Sequence, residues 1–487
     1  MSEIDDSPPG RSSPRPTLRS DVWLKTVAAF IAILLLAPQP NWLPLIADVK
    51  AGLAAQASGD MARAADALAN AYARQPWNAA FAFDVGRAEL AAGQYEAALR
   101  DLTTTARLGG WTPELRVLAG DAYNALGDRA NALSQWETAA RDLPGDVNLS
   151  RRLAEGYEAA GKFPEAVDAL RVVAAAAPGE AEIQFRLGQL LAVVDPRAAV
   201  DPLEKAARID SSFTPRTTAL VAAIQQAETQ NDEAYLSASV GLVFIQAGQY
   251  DLAEAAFSRA IRFNLTYPDA YAYLGLAQDK LGKDGGAALQ EAVRLAPDSA
   301  LAHSFLGLHY RRTGQANEAL SELTRASELD PNNPALAAEI AGAHEALADF
   351  EKARQWYEEA IHLAPADPRY KVLLAQFYVE NEIDLAGAGF TAALNALNAA
   401  PDSAAAHDAL GFDYVLRKDF ASGEKHLLKA IELDPNLASA HYHLGVLRAA
   451  QNDMTAGESE YRRALELDPE GRYGNLALKA LALLKSQ

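Results

Sequence analysis

The chain has 487 residues and a formal net charge of −20, so its general field repels phosphate backbones and nucleic acid is not an expected partner. It contains no Cys, which excludes disulfides, thiolate nucleophiles and Cys-containing metal sites. Half of it is hydrophobic yet only 8% is aromatic, and Ala is abundant throughout, a balance that favours close-packed helices over sheets and predicts an all-α chain.

Residues 1–21 are rich in Ser, Pro and Arg and offer little to bury, so a disordered tail is expected there. Residues 22–43 change character: an uninterrupted apolar run covers Thr26 to Ala37, Trp23 and Trp42 bracket it, and Lys25 can snorkel at its start. The stretch reads as an uncleaved single-pass transmembrane anchor. Its rivals are a cleavable secretory signal and a buried helix of a soluble protein; against cleavage, Pro38 directly follows Ala37 and no A-x-A site lies just downstream. Arg11, Arg15, Arg19 and Lys25 precede the run or stand at its start and only Lys50 follows soon after, which predicts a cytoplasmic N-terminus with the remainder extracytoplasmic.

From Leu45 onward a 34-residue pulse sets in. Gly59, Gly93, Gly127 and Gly161 are 34 residues apart, each between two segments of helical periodicity, where a Gly permits the tight turn of a helical hairpin. Pro297, Pro331 and Pro365 step by 34, Pro401 follows after 36, and Pro435 and Pro469 step by 34 again. Each Pro closes one hairpin and opens the next. Residues 300–333 show the small-residue code between these marks: Leu306, Gly307, Tyr310, Gly314, Ala319, Leu323, Ala326 and Pro331. The unit 113–146 repeats it with Gly120, Tyr123, Gly127, Ala132, Trp136, Ala139 and Pro144; the units 147–180 and 404–437 keep most of it.

This pattern resembles the tetratricopeptide repeat family over about 430 residues. The resemblance implies a right-handed α-solenoid of about twelve helical hairpins, each too small to stand alone and stabilised by stacking on its neighbours. Units begin near 45, 79, 113, 147, 181, 234, 268, 300, 334, 368, 404 and 438. Those at 181, 268 and 368 depart from the regular length and should have the least regular turns. Residues 212–233 interrupt the count with an extra helix opened by Thr214-Pro215, dividing the array into 45–211 and 234–471. Residues 472–487 read as a C-terminal capping helix.

No phosphate-binding loop, dinucleotide fingerprint or nucleophile elbow is present, and His344-Glu345 lacks the second His of a zinc-protease helix. His303, His407 and His441 hold equivalent places in three units, too far apart to share one ion, so they read as packing residues. Asn148 and Asn264 open glycosylation tripeptides that read as chance matches. No catalytic, cofactor or metal site, and no small-molecule substrate, is expected.

The family resemblance implies that positions 2, 5, 9 and 12 of each unit line a concave face that holds protein or peptide partners. In the first array these are Phe83, Arg87, Asp121, Arg151, Glu155, Phe185 and Gln189, a largely polar set. In the second they include Leu276, Leu301, Leu308, Val372, Phe412, Val415, Tyr442 and Val446, with Arg311 and Arg369 among them, which suits an extended or helical peptide with apolar anchors and acidic groups. Packing between adjacent hairpins is the competing role for each. The family's Lys- and Asn-based clamp for acidic chaperone tails has no three consecutive matching units. The expected function is therefore a membrane-anchored scaffold that organises or assembles a multiprotein complex, with a substrate-recruiting adaptor for a separate enzyme, such as a glycosyltransferase, as the alternative.

Overall fold

The computed structural model describes residues 42–484, all in helices or the turns that join them. The tail expected over 1–21 and all but Trp42 and Leu43 of the stretch 22–43 lie outside the described residues, as do the last three residues of the expected cap. Trp42 and Leu43 open the first helix of the first hairpin, so the array starts three residues before Leu45. Among the described residues no helix is long and apolar enough to cross a membrane.

Twelve hairpins follow one another among the described residues. The first four are α1 (Trp42–Ser58) with α2 (Met61–Arg74), α3 (Ala79–Ala91) with α4 (Tyr95–Gly109), α5 (Pro113–Ala125) with α6 (Arg129–Asp142), and α7 (Val147–Ala159) with α8 (Phe163–Ala176). Next come α9 (Ala181–Val194) with α10 (Pro196–Ile209), then a 3-10 turn (Ser211–Phe213) and the extra helix α11 (Thr214–Glu228). The remaining hairpins are α12 (Glu233–Gln246) with α13 (Tyr250–Phe263), α14 (Pro268–Lys280) with α15 (Gly286–Leu295), α16 (Ala300–Arg312) with α17 (Ala316–Leu329), and α18 (Pro334–Ala346) with α19 (Phe350–Leu363). They continue as α20 (Pro368–Glu380) with α21 (Ala388–Ala399), α22 (Ala404–Leu416) with α23 (Phe420–Leu433), and α24 (Ala438–Ala450) with α25 (Met454–Leu467), before the last helix, α26 (Arg472–Leu484).

Two residue types make each hairpin. At the turn, the chain needs a left-handed residue: Gly59, Gly93, Gly127, Gly161, Gly248, Gly282 and Gly314 have φ between 69° and 80°. Eight positions into the first helix, a small residue faces a large one on the second. A Cβ on Gly86 would lie 2.9 Å from Leu102, on Gly241 2.8 Å from Phe257, on Gly307 2.6 Å from Leu323 and on Gly411 2.9 Å from Leu427. Any larger residue would push the two helices apart at their closest approach. Helix starts are fixed by side chains that cap free N–H groups, among them Asp60, Asn78, Thr112, Asp128, Ser299, Asp349 and Ser403.

The chain divides into two compact units, one up to Ile183 and one from Gln184. This boundary falls inside α9 and not at residues 212–233. The reason is local packing: Phe213 of the 3-10 turn sits 5.0 Å from the Phe185 ring of α9, and the Arg216 guanidinium of α11 lies over both rings at 4.7 and 4.8 Å. The extra helix is thereby part of the second unit, and Phe185, expected to face a partner, is buried.

Candidate functional site

In the second unit the first helices of successive hairpins lie side by side and present one face. Its members follow from helical geometry. Positions 2, 6, 9 and 13 are spaced 4, 3 and 4 residues, which stays on one stripe of a helix with 3.6 residues per turn. Positions 5 and 12 turn away toward the next hairpin. Exposure shows the difference most plainly between the stripe and position 5: Tyr235, Leu242 and Gln246 of α12 are exposed, as are Arg369 and Leu373 of α20, whereas Ala238, Ala272, Ala338 and Val372 at position 5 are buried; position 12 is mixed, with Arg311 exposed and Val379 buried. Tyr273, Leu276, Phe305 and Leu308 are half-buried on the same stripe. Tyr273 is stacked on Phe257 at 5.4 Å and meets Phe305 edge-on at 5.3 Å, so aromatic rings pass from one hairpin to the next.

The polar groups of this face lace the helices together. His309 Nδ1 is 2.9 Å from Asp279 Oδ2, and Arg312 donates to Asp279 Oδ1 at 2.6 Å, joining α16 to α14. Arg311 Nη2 lies 2.8 Å from Glu339 Oε2, joining α16 to α18. The Arg311 guanidinium occupies space that Gly342 leaves open, since a Cβ there would lie 2.7 Å from it. Burial pushes the Glu339 carboxyl up and Arg311 pulls it down. Asn381 and Tyr357 both donate to Glu345, at 2.7 and 3.0 Å, joining α20 and α19 to α18.

Toward the C-terminus the stripe is closed. His443 is buried, with Phe412 stacked on it at 3.7 Å and its Nδ1 2.7 Å from Asp408 Oδ1. Tyr473 of α26 meets the His443 ring edge-on at 5.5 Å and donates to Glu380 of α20 at 2.6 Å; Arg472 pairs with the same carboxylate at 2.6 Å. Burial first, then the Glu380 and Asp408 charges, holds the Tyr473 hydroxyl well above the usual tyrosine range. The last helix thus packs against the final hairpin and also clasps the first helix of the hairpin two before it.

The ten residues expected to line the groove therefore part company. Leu276 and Leu308 are half-buried on the open stripe, and Arg369 is exposed there, its guanidinium on the capping Asp367 at 2.5 Å. Leu301 packs on Ala272, Ala292 and Ala302, and Arg311 is engaged with Glu339. Val372 is buried with Tyr357, Phe377 and Leu410. Phe412 and Val415 are buried with Val379, Leu427, Leu444 and Leu447. Tyr442 and Val446 pack against the cluster that Tyr461 and Ala464 form with Ala477 and Leu481 of the last helix. The expected groove at Phe412 and Tyr442 is not open: the His443 ring lies on Phe412, Val415 at position 12 points into the stack, and the last helix packs against Tyr442 and Val446. Sequence reasoning missed Tyr235, Leu242, Tyr273, Phe305 and Leu373. Tyr235 and Leu242 stand at positions 2 and 9 of the expected concave face, and the helical period alone points to the other three at position 6. In the first unit, Arg87 and Glu155 are exposed while Asp121 takes Arg152 at 2.6 Å and Arg151 lies 3.5 Å from Glu180. Gln189 donates to Gln249 at 2.9 Å within the second unit.

Among the described residues no three His, Asp or Glu side chains converge as metal ligands would. His303 and His441 act as staples: each ring touches the carbonyl of the Pro six residues earlier, at 2.9 and 3.2 Å, and the carboxylate of Glu322 or Glu460 on the following helix, both at 2.6 Å.

Tetratricopeptide repeat models match residues 49–110, 117–181, 241–300 and 413–472, and a second such model matches 310–377. The TPR repeat-containing protein YpiA of Bacillus subtilis is 25% identical over 276 residues, covering 55% of this chain and 60% of its own. Anaphase-promoting complex subunit 3 of Schizosaccharomyces pombe is 30% identical over 150 residues, covering 30% of this chain and 23% of its own. The chain thus spans less than two thirds of the length of either relative. The crystal structure of yeast Tom70 is similar with a TM-score of 0.41 at 16% identity, over 84% of this chain and 96% of that one. With repeat models matching across most of the hairpins, the chain belongs to the tetratricopeptide repeat family.

Proposed function

We propose that this chain is a protein-binding scaffold, not an enzyme, which holds an extended or helical peptide of its partner on the open stripe of the second unit from α12 to α20. The observation that carries this reading is the run of accessible apolar side chains at positions 2, 6 and 9, above all Tyr235, Leu242, Tyr273, Phe305 and Leu373, with Arg312 and Arg369 at its margins. Apolar side chains at helical spacing give pockets for anchors, while Arg312 and Arg369 are already paired with Asp279 and Asp367. A curated relative that is by its name a subunit of a multiprotein complex supports an assembling role. In this reading residues 22–43 tether the array to a membrane, with the N-terminus cytoplasmic and the array extracytoplasmic; the apolar run, its Trp brackets and the preceding Arg residues support it.

A photo-crosslinking residue placed at Leu308 or Leu373 in native membranes tests the binding surface. Adducts with a discrete partner are expected from these positions and not from Leu428, which is exposed on the second-helix side. Equal adducts from all three positions, or adducts from Leu428 alone, would move the site elsewhere. A C-terminal reporter that reads as cytoplasmic would overturn the topology.

A further inference from the structure

One edge of the first unit carries a row of tryptophans that the fold does not require. Because every hairpin reverses the chain, the start of α1, the α2–α3 turn and the α4–α5 turn share an edge. Arg74 at the end of α2 pairs with Asp48 near the start of α1 at 2.7 Å, and Leu45, Ala71 and Phe81 share one buried cluster, which fixes this neighbourhood. Trp42, Trp77 and Trp111 stand along it, 35 and 34 residues apart. Trp42 is half-buried with Leu43 beside it 82% exposed, Trp77 is 71% exposed and Trp111 40%. The equivalent positions of the next two turns are Gly145 and Gly179, so the repeat needs no large side chain there.

Cations stand beside the tryptophans of this edge. Arg116 lies over the Trp111 ring at 5.0 Å and Arg107, four residues before Trp111, is exposed; Asp48 is taken by Arg74, Glu114 is exposed, and Asp142 and Asp146 are exposed at the next turn. Indole rings with a nearby guanidinium match the boundary between headgroups and acyl chains, where an apolar body and an N–H donor are both satisfied. Covalent geometry sets the range: five residue steps separate Ala37, the last residue of the apolar run, from Trp42, which is at most about 18 Å of chain. A run inserted in a bilayer would hold this edge against the headgroup layer.

We infer that the Trp42, Trp77 and Trp111 edge docks the first unit on the surface of a bilayer containing anionic lipid. The inference rests on the reading of residues 22–43 as a membrane anchor and adds to it an orientation of the first hairpins. The absence of Cys makes the test direct: Trp77→Cys and Trp111→Cys each give one labelling site in the full chain, and Gln94→Cys gives one at the α3–α4 turn on the opposite edge. Each variant is labelled with an environment-sensitive fluorophore and reconstituted into vesicles of phosphatidylcholine and phosphatidylglycerol with brominated acyl chains. The expected result is flotation with the vesicles, with blue-shifted and quenched emission at 77 and 111 and neither change at 94.

Flotation without quenching at 77 and 111 overturns the docking edge and leaves the anchor standing. A variant with Leu34→Arg and Leu35→Arg separates the two in the other direction: if it floats and its labels are still quenched, the edge binds lipid without the anchor. Failure of the unaltered chain to float overturns both. Shielding at 77 and 111 that needs crude membrane proteins and is absent in protein-free vesicles would assign the edge to a protein partner and reject the lipid.

Discussion

Three histidines hold the same post in three hairpins of the second unit, and one of them has the wrong companion. His303 and His441 each bridge a loop carbonyl and a Glu on the next helix, whereas His407 bridges the Pro401 carbonyl at 3.1 Å and the His426 ring at 3.0 Å. In that pair one ring must accept where Glu322 and Glu460 accept elsewhere, and burial followed by His407 pushes His426 down. His426→Glu restores the charge-assisted bond and should stabilise the hairpin by about 1 kcal/mol, read as a later unfolding midpoint at pH 6.5; an unchanged or earlier midpoint would contradict it. His441 itself is raised, by the Glu460 bond first. Its contribution is present below the ordinary histidine value and fades as pH rises through the folded value.

A second residue breaks the repeat code in the first unit. Glu89 stands where the unit at 113 has Tyr123 and the unit at 147 has Tyr157, and it is buried. Burial first, then the neighbouring Asp101, pushes its carboxyl up to about 7. A raised acid favours the folded state in its protonated form, so this contribution is full below the unfolded value near 4.5 and is lost as pH climbs through about 7. Hydrogen exchange of the α3 and α4 amides should quicken from pH 5.5 to 8 after correction for intrinsic rates, and Glu89→Gln should flatten that change. The same pH response in both proteins would assign it to other groups.

At the scale of the element, hairpin turns show what was legible in the sequence and what was not. Gly59, Gly93, Gly127 and Gly161 announce themselves by spacing and Gly314 by its place in the repeat code, and the structure gives these and also Gly248 and Gly282 a left-handed backbone. The same spacing continues through residues with side chains, Ala348 at φ 56°, Lys418 at 65° and Asn452 at 64°, where composition alone gives no mark. The fold imposes the conformation there at a steric cost of about 1–2 kcal/mol for an Ala or Lys. Ala348→Gly and Lys418→Gly should each gain about 1 kcal/mol in denaturant unfolding, while Gly314→Ala should lose a similar amount. Helix faces were less legible. Positions 5 and 12 differ from 6 and 13 by one residue each, about 100° of rotation, and that single step sends Val372 inward and Leu373 outward.

The last helix adds a contact that no period could reveal. Tyr473 and Glu380 are 93 residues apart and meet only because α26 crosses back over the final hairpins. Tyr473→Phe removes the donor and leaves the half-buried Glu380 carboxylate with Arg472 alone. Amides of α26 and α24 should then exchange measurably faster, with those of α14 unchanged; equal exchange throughout would show that packing of Ala477 and Leu481 suffices to hold the cap.

For the whole molecule, the repeat was legible because one supersecondary unit recurs with its code nearly intact, and each copy independently reports the same helices. The partner surface was only partly legible, because inward and outward apolar residues look alike in a helix buried on most sides: Phe412 and Leu373 are both apolar residues on first helices, yet one is stacked on His443 and the other is exposed. The double change Phe412→Asp and Tyr442→Asp would bury two carboxylates in the stack and report on folding, not binding. Leu242→Asp with Leu373→Asp is the informative pair, since both side chains are exposed. The decisive measurement is the affinity of the partner captured at Leu308 or Leu373 for this double variant and for the unaltered chain, with melting followed in parallel. The expected result is a loss of affinity of tenfold or more, about 1.4 kcal/mol, with an unchanged melting profile; equal affinity for the two proteins would contradict the placement of the binding surface on the open stripe of the second unit.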